Sequence, residues 1–290
     1  MTLNKMDSYL LQNIERIESS GYKDENPRGR YESDGEHSHC ISIRGGVYEI
    51  FDISKGEFPI TLTRPLPIKS FIGEIQTIYQ DQSNKLEDFE KRGVSWWKPW
   101  EVDDTNTIGL RYGETVREYN LMNELLDGLC DNPFGKRHLI DLYQYEHLQR
   151  SKGLHPCAFL TMWTVSKVGD TTYLDLTLIQ RSSDYLVAGT GVNQMQYVAL
   201  QMMVAKHCGY EVGLFEHYRK NVHVYDRHLP QLEETIKRLI NMSEDKIVRT
   251  PQLILNVPDG TNFYDIEIDD FELVNYEPIK PQLEKFDLAI

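Results

Sequence analysis

Cys157, Arg181, Glu74 and Asn193 are the residues whose types could together carry covalent and proton-transfer chemistry. Cys157 follows Pro156 where an apolar strand begins. A cysteine there is ordinarily a small buried residue, and it becomes a nucleophile only where positive partners lower its pKa. Arg181 comes just after the strand expected to pair with that one, so it could supply the charge and also grip a phosphate through its planar fork. Glu74 borders an apolar helix stripe. Facing water it would be inert, whereas burial in a pocket would raise its pKa and make it a proton carrier near neutrality. Asn193 stands at a helix start, where it could cap the helix or read the edge of a base.

These residues belong to a longer constellation. From Gln180 to His228 the chain runs through Gln180-Arg181-Ser182 and Asp184, then a flexible Ala188-Gly189-Thr190-Gly191 loop. Asn193 and Tyr197 follow on a helix, and a polar strand ends in His223-Val224-Tyr225. This combination resembles the nucleotide- and folate-binding signature of the thymidylate synthase family. Arg28, Glu74, Trp97, Trp100, Tyr112-Gly113, Lys136-Arg137-His138, Pro156-Cys157 and Leu288-Ala289-Ile290 follow in that family's order, so the likeness covers roughly residues 5 to 290 with no spare domain.

The resemblance implies transfer of a one-carbon unit from 5,10-methylenetetrahydrofolate to C5 of dUMP. Cys157 would add to C6 of the pyrimidine, Asn193 would steady the resulting enolate, and Glu74 with Tyr112 would remove the C5 proton. Arg28, Arg181 and Ser182 would serve the nucleotide, with Arg28 reaching over the site to its phosphate. His223 and Tyr225 would bond the sugar 3′-hydroxyl. Trp97 and Trp100 would line the folate site, Asp184 would bond the pterin, and the tail at Ala289 would fold over the occupied site. Lys136 and Arg137 would cross to the neighbouring subunit's phosphate, which implies a homodimer. The implied fold is α+β, a single domain over residues 1–290 built on a large mixed sheet whose back face forms the dimer contact.

The chain departs from the family's pattern at four places. Ala158 follows Cys157 where many members have histidine, and Lys136 replaces an arginine, exchanging a guanidinium fork for a point charge. Lys220-Asn221 occupies a glycine–aspartate position, and AGTGVN stands in place of LGxPFN. A nucleotide 5-hydroxymethylase of the same superfamily would use nearly the same residues, with water in place of hydride. Cytosine-specific relatives tend to carry aspartate at the position of Asn193, so uracil is the expected base. A silent relative that binds nucleotide or messenger RNA is a third reading, against which the intact Cys157, Glu74, Asn193 and Arg181 argue.

Periodicity places these residues on elements. Met6, Tyr9, Leu10, Ile14 and Ile17 predict an amphipathic helix over 4–21, followed by an exposed loop over 22–39. Residues 40–43 and 47–51 around Arg44-Gly45-Gly46 read as strand, turn, strand. Pro65 and Pro67 delimit the helix of Phe71, Ile72, Ile75, Ile78 and Tyr79. One helix is expected over 115–130, strands over 157–165 and 173–179, and an amphipathic helix with Met195, Val198, Ala199, Met202, Met203 and Ala205 on one face, closed by Gly209. Pro230 opens a helix with Leu232, Ile236, Leu239 and Ile240 along one side. Residues 253–255 and 263–266 read as strands, and Glu267 to Glu272 as an acidic strand edge.

Bulk properties set limits. A net charge of −14 excludes broad nucleic-acid binding, so an anionic substrate needs a few local arginines. No apolar run approaches the ~20 residues needed to cross a bilayer, and the N-terminus lacks a signal-peptide core, so a cytoplasmic protein with no membrane partner is expected. Cys40, Cys130, Cys157 and Cys208 match no zinc or redox spacing, and His37-Ser38-His39 lacks the companions a metal needs, so no metal is expected.

Overall fold

The computed structural model describes residues 3–243 and 250–290. The chain opens with α1 (Lys5–Ser20), whose N-terminus is capped by the Asn4 side chain accepting from the Asp7 N–H at 2.7 Å. Next come β1 (Tyr22–Lys23), β2 (Cys40–Ser42), β3 (Gly46–Asp52), α2 (Ile68–Tyr79), α3 (Leu86–Lys91), α4 (Gly113–Glu118) and α5 (Leu121–Asp131). β4 (Leu139–Asp141), α6 (Tyr145–Arg150), β5 (Ala158–Val168), β6 (Thr171–Gln180) and β7 (Ser183–Asp184) lead to the central helix α7 (Val192–Cys208). β8 (Glu211–Lys220), β9 (Val222–Tyr225), α8 (Leu229–Ile240), β10 (Gln252–Leu255) and β11 (Phe271–Val274) complete the order.

A five-stranded mixed sheet, β3-β8-β6-β5-β4, carries the large core; a four-stranded sheet, β1-β2-β9-β7, stands beside it, and β10 pairs with β11. β6 and β8 are parallel, and α7 is the crossover between them. At the carboxyl ends of both strands the chain leaves the large sheet for the small one. Gln180↔Arg219 is the last pair in the first and Ser183↔Val222 the first pair in the second. The open carboxyl ends of parallel strands are where α/β sheets place ligands, and Arg181, Ser182 and Asn221 lie at this parting. Asn221 takes the left-handed conformation (φ 44) that lets the chain turn, a conformation asparagine tolerates better than most residues.

The parting explains why residues 40–51 do not form a hairpin. β2 pairs with β9 and β3 with β8, so the two strands follow partners that have already separated. Other expectations are corrected as well. The helix over 115–130 breaks at Asn120, which is left-handed (φ 52), and Tyr119 packs on His147 at the surface. Residues 263–265 form a 3-10 turn, with Asn262 accepting from the Tyr264 N–H at 2.9 Å, so β11 and not this segment pairs with β10. Glu267 and Asp270 cap another such turn reciprocally, ahead of β11. Ile240 is 63% exposed, outside the apolar side of α8.

The largest correction concerns α7. The stripe from Met195 to Ala205 is buried as expected, but so are Gln194, Gln196 and Gln201, and no face from residue 194 to 205 reaches water. The helix sits between the large sheet and α2 and α5, which makes it a core helix, not an amphipathic one. Its glutamines must therefore bond inside the protein: Gln201 Nε2 donates to the Leu174 and Leu214 carbonyls at 2.8 and 2.9 Å. Gly209 closes the helix in the left-handed region (φ 73), as expected.

Beneath the loop that leads into α7, Arg219 and Glu49 form an ion pair with both side chains fully buried. Glu49 also accepts from Asn13 at 3.3 Å and Gln194 at 3.2 Å, while Arg219 Nη1 donates to the Gly189 carbonyl at 3.1 Å. Gly191 must be glycine: its φ is +101, and a Cβ would lie 2.8 Å from the Pro59 carbonyl oxygen. Removing one partner of a buried pair strands the other charge. Arg219→Met should lower unfolding free energy by about 3–5 kcal/mol, read as a fall in the urea midpoint, with Glu49→Gln/Arg219→Met closer to wild type.

Candidate active site

The bulge at the start of β5 and the chain just after β6 bring Cys157 and Arg181 together. The Arg181 N–H donates to the Cys157 carbonyl at 2.9 Å, and its side chain donates to the carbonyls of Pro156 (2.9 Å) and His155 (2.7 Å). With the guanidinium so fixed, Nη2 lies 3.5 Å from Cys157 Sγ. Burial pushes the thiol up, and the Arg181 charge opposes that shift. Arg181 alone therefore does not bring the thiol below its ordinary value here, contrary to the simplest sequence expectation. The surroundings are nonetheless electropositive. Burial lowers the His155 pKa, and the charges of Arg111, Arg181 and Arg28 lower it further.

Tyr112 closes the other side. Its hydroxyl accepts from the Cys157 N–H at 3.3 Å, its backbone is held at φ 49, and its ring packs edge-on against Trp97 with centroids 5.2 Å apart. A bulky residue at positive φ persists only where its surroundings over-determine it. Burial, followed by the nearness of Cys157, drives its phenol pKa well up, so it holds its proton.

Glu74 is not the water-facing residue its position beside the apolar stripe of α2 would ordinarily suggest. It is buried, one carboxylate oxygen accepts from Trp97 Nε1 at 2.6 Å, and the other accepts from Gln196 Nε2. Burial raises its pKa, opposed by hydrogen bonds from Trp96, Gln196 and Trp97. Asn193 does not cap α7; Gly191 holds the cap position, and Asn193 is the second helical residue. Its Nδ2 donates to Gln196 Oε1 at 3.1 Å, and its Oδ1 accepts from Gln180 Nε2 at 3.1 Å. Sequence reasoning quoted Gln180 only as part of the signature and gave Gln196 no role. Gln196 follows Asn193 by three residues and so shares its helix face, a signal that was available.

The small sheet brings a second group alongside. Asp184 pairs in register with His223, whose Nδ1 lies 2.8 Å from the Asn221 carbonyl oxygen; Asn221 Nδ2 donates to Ser182 Oγ at 3.3 Å. The Tyr225 ring packs on His223 and Tyr31. Ala289 bridges to Tyr31, with Ile290 and Arg30 exchanging two 2.8 Å backbone bonds, so the tail is fixed beside the Arg28 loop. Trp100 packs edge-on against Trp97 with centroids 6.3 Å apart. Arg28, Lys136 and Arg137 are exposed, and among the described residues they make no ion pair or side-chain hydrogen bond. A concavity of about 510 Å³ lined by Asn84, Val102, Gly109 and Ser151 lies elsewhere and includes none of the clustered side chains. Among the described residues no group of three or more His, Cys, Asp or Glu side chains is placed to hold a metal; His39 pairs with Asp24 at 2.9 Å and His37 lies 3.0 Å from the Pro27 carbonyl oxygen.

A thiol beside a guanidinium, a buried carboxyl, an oriented amide and an indole wall suit nucleophilic addition to a planar, polar ring. The family model for thymidylate synthase matches residues 8–288. The chain belongs to the thymidylate synthase family. It is 48% identical over 289 residues to thymidylate synthase of Streptococcus pyogenes serotype M5, covering 99% of this chain and 100% of that one. The enzyme of Streptococcus gordonii is 50% identical over the same length and coverage. Among solved structures, the thermostable thymidylate synthase A from Bacillus subtilis superposes with a TM-score of 0.83 at 33% identity, covering 98% of this chain and 99% of that one. The α+β thymidylate synthase fold expected from the sequence is thereby established.

The opposing effects at Cys157 can be separated. Arg181→Met should raise the thiol pKa further and slow alkylation of Cys157 by iodoacetamide at pH 8, followed on the Cys157 peptide by mass spectrometry. The exposed Cys130 in the same sample should react at an unchanged rate.

Proposed function

We propose that this member of the thymidylate synthase family catalyses reductive methylation of dUMP to dTMP with 5,10-methylenetetrahydrofolate, releasing dihydrofolate. The observation that carries the reading is the convergence of Cys157, its 3.5 Å neighbour Arg181, the buried Glu74 and the half-exposed Asn193 around one parting of the sheets.

Arg181 holds the nucleotide phosphate, and the negative charge it balances there leaves its field shared between phosphate and thiol. Cys157 loses its proton and its sulfur bonds to C6 of uracil, sending the ring electrons to C5 and O4; Asn193 donates to O4 and stabilises that enolate. Glu74, with Tyr112, accepts the C5 proton after carbon transfer. The electron pair left on C5 breaks the bond between the transferred carbon and its donor, hydride completes the methyl group, and elimination of Cys157 then restores the ring double bond and frees the thiolate. The folate, when bound, supplies the methylene carbon and then hydride. Trp97 and Trp100 offer it a flat apolar wall, and the carboxylate of Asp184 suits pterin N–H donors. Asp184 fits this role: it is half-buried, and its nearest basic neighbour, His228 Nδ1, is buried 3.8 Å away without a hydrogen-bond partner. Ser182, His223 and Tyr225 hold the nucleotide sugar and phosphate, Arg28 covers the phosphate from above, and Ala289 belongs to the tail that closes the folate side.

The unit is one catalytic domain over residues 1–290, working in the cytoplasm as a homodimer without membrane or stable nucleic-acid partners. Strand alternation supports the dimer. One face of the large sheet carries Phe51, Phe215, Leu176 and Trp163 in the core, while the other leaves Tyr48, Met162 and Leu214 between 36% and 49% exposed. Lys136 and Arg137, without an ion pair or side-chain hydrogen bond among the described residues, are available to a neighbour's phosphate.

With dUMP and methylenetetrahydrofolate, absorbance at 340 nm should rise as dihydrofolate forms, and the nucleotide should gain 14 mass units, the difference between a methyl group and the hydrogen it replaces. Cys157→Ser should lose more than about 10³-fold in turnover. Tetrahydrofolate with a 5-hydroxymethyl nucleotide would instead identify a hydroxymethylase. Sedimentation equilibrium should give twice the 33.9 kDa chain mass, and Tyr48→Glu/Met162→Glu should shift the particle toward monomer.

A further inference from the structure

Cys130 and Cys208 are 78 residues apart in the chain, so their spacing says nothing of a partnership, yet the fold sets Sγ of one 3.4 Å from Sγ of the other. Cys208 is the last residue of α7, where that helix emerges from the core, and Cys130 is the last but one of α5. The two helices pack together, and their ends are fastened. Tyr210, just beyond Gly209, donates its hydroxyl to the Leu129 carbonyl at 2.9 Å, and its own N–H is tied back into α7 at the Ala205 carbonyl, also at 2.9 Å. The backbone beside each sulfur is therefore held before any bond joins them. Cys130 is exposed and Cys208 partly so, which leaves the pair open to small solutes. The other two cysteines have no second sulfur beside them: Cys40 meets Asp24 and Ser42, and Cys157 meets Arg181 and the His155 carbonyl.

We propose that Cys130 and Cys208 form a dithiol modification site, at which hydrogen peroxide converts them into an intramolecular disulfide, separate from the cluster around Cys157. The exposed Cys130 is the attacking thiol. It gives up its proton, its sulfur bonds to one peroxide oxygen, and the O–O bond breaks, the leaving hydroxide taking that proton and departing as water. Cys208 then loses its proton as its sulfur bonds to that of Cys130, and the S–O bond breaks with release of a second water. Two thiols lose two electrons and one peroxide becomes two waters. Closing the bond brings the sulfurs about 1.4 Å nearer, to the ~2.05 Å of a disulfide, a movement that side-chain rotation at exposed helix ends can supply. Burial, then the hydrogen bond and charge of Cys130, raise the Cys208 thiol pKa, which suits Cys208 to the second step, attack on a sulfur already activated. The pair lies at the end of α7 remote from Asn193, about 22 Å along the helix axis. Both helices lie on the core face of the large sheet, opposite the face of Tyr48, Met162 and Leu214, so a partner subunit there leaves the sulfurs accessible. The bond would close residues 131 to 207 into a loop that contains Lys136, Arg137, Cys157, Arg181 and Asn193.

The test is treatment of the full-length protein with hydrogen peroxide, followed by mass spectrometry of its non-reduced peptides. Those holding Cys130 and Cys208 should be recovered joined, about two mass units lighter than their sum, and should separate again after dithiothreitol. Because a closed loop of this length restrains the unfolded chain, the oxidised protein should melt about 5 °C above its dithiothreitol-treated form. In Cys208→Ser, Cys130 should instead go on to the sulfinic acid, a gain of about 32 mass units on its peptide. In Cys130→Ser, where the replaced side chain is exposed, no joined peptide should form. Wild-type Cys130 that reaches the sulfinic acid without a crosslink would overturn the proposal. So would a crosslink of either residue to Cys40 or Cys157, or an oxidised protein that melts below the reduced one.

Discussion

A helix with no wet side has nowhere to send its polar side chains except into the protein. α7 is such a helix, and the obligation to satisfy its glutamines shapes much of what surrounds it. Gln201 is taken up by two carbonyls of the large sheet, and Gln194 by Glu49 and the Gly189 carbonyl. Gln196 is taken up by Glu74 and Asn193. The first two fasten the helix to the sheet and to the loop before it; the third builds the reactive cluster. A buried unpaired amide would cost about 1–3 kcal/mol; all three amide nitrogens are bonded, Gln196 is bonded at its oxygen too, and the oxygens of Gln194 and Gln201 stay buried without a partner.

Burial works against reactivity at Cys157. A thiol half withdrawn from water is harder to ionise, and Arg181 only partly offsets this because its own side chain is committed to two backbone carbonyls. Those commitments are also what keep the guanidinium within 3.5 Å of the sulfur. At Glu74 burial has the opposite use. It raises the carboxyl pKa, opposed by hydrogen bonds from Trp96, Gln196 and Trp97, and upward is the direction a proton carrier needs.

Much of this was legible in the sequence. The periodicity of α1 and α2, the proline before α2 and the glycine after α7 located those elements because local chemistry settles them. The motif order from Arg28 to Tyr225 gave the fold and the cluster. What sequence could not reveal was partnership. Residues 40–51 have hairpin chemistry, but β2 and β3 are drawn apart by strands that lie far along the chain. Asn120 interrupts a helix that propensity alone would continue, and the three glutamines on α7 look like a polar face until the sheet and α2 close over them. Lys220-Asn221, a departure from the family pattern, finds its reason in the turn between the two sheets, where Asn221 adopts a positive φ and bonds Ser182.

The tail and the loop carrying Arg28 are stitched by three backbone bonds, from Glu32 to Leu288 and both ways between Arg30 and Ile290. An arginine on such a seam does not travel alone. Peeling the tail away would unpick the stitches beside Arg28, and laying it down would remake them, so loop and tail hold their places together or not at all.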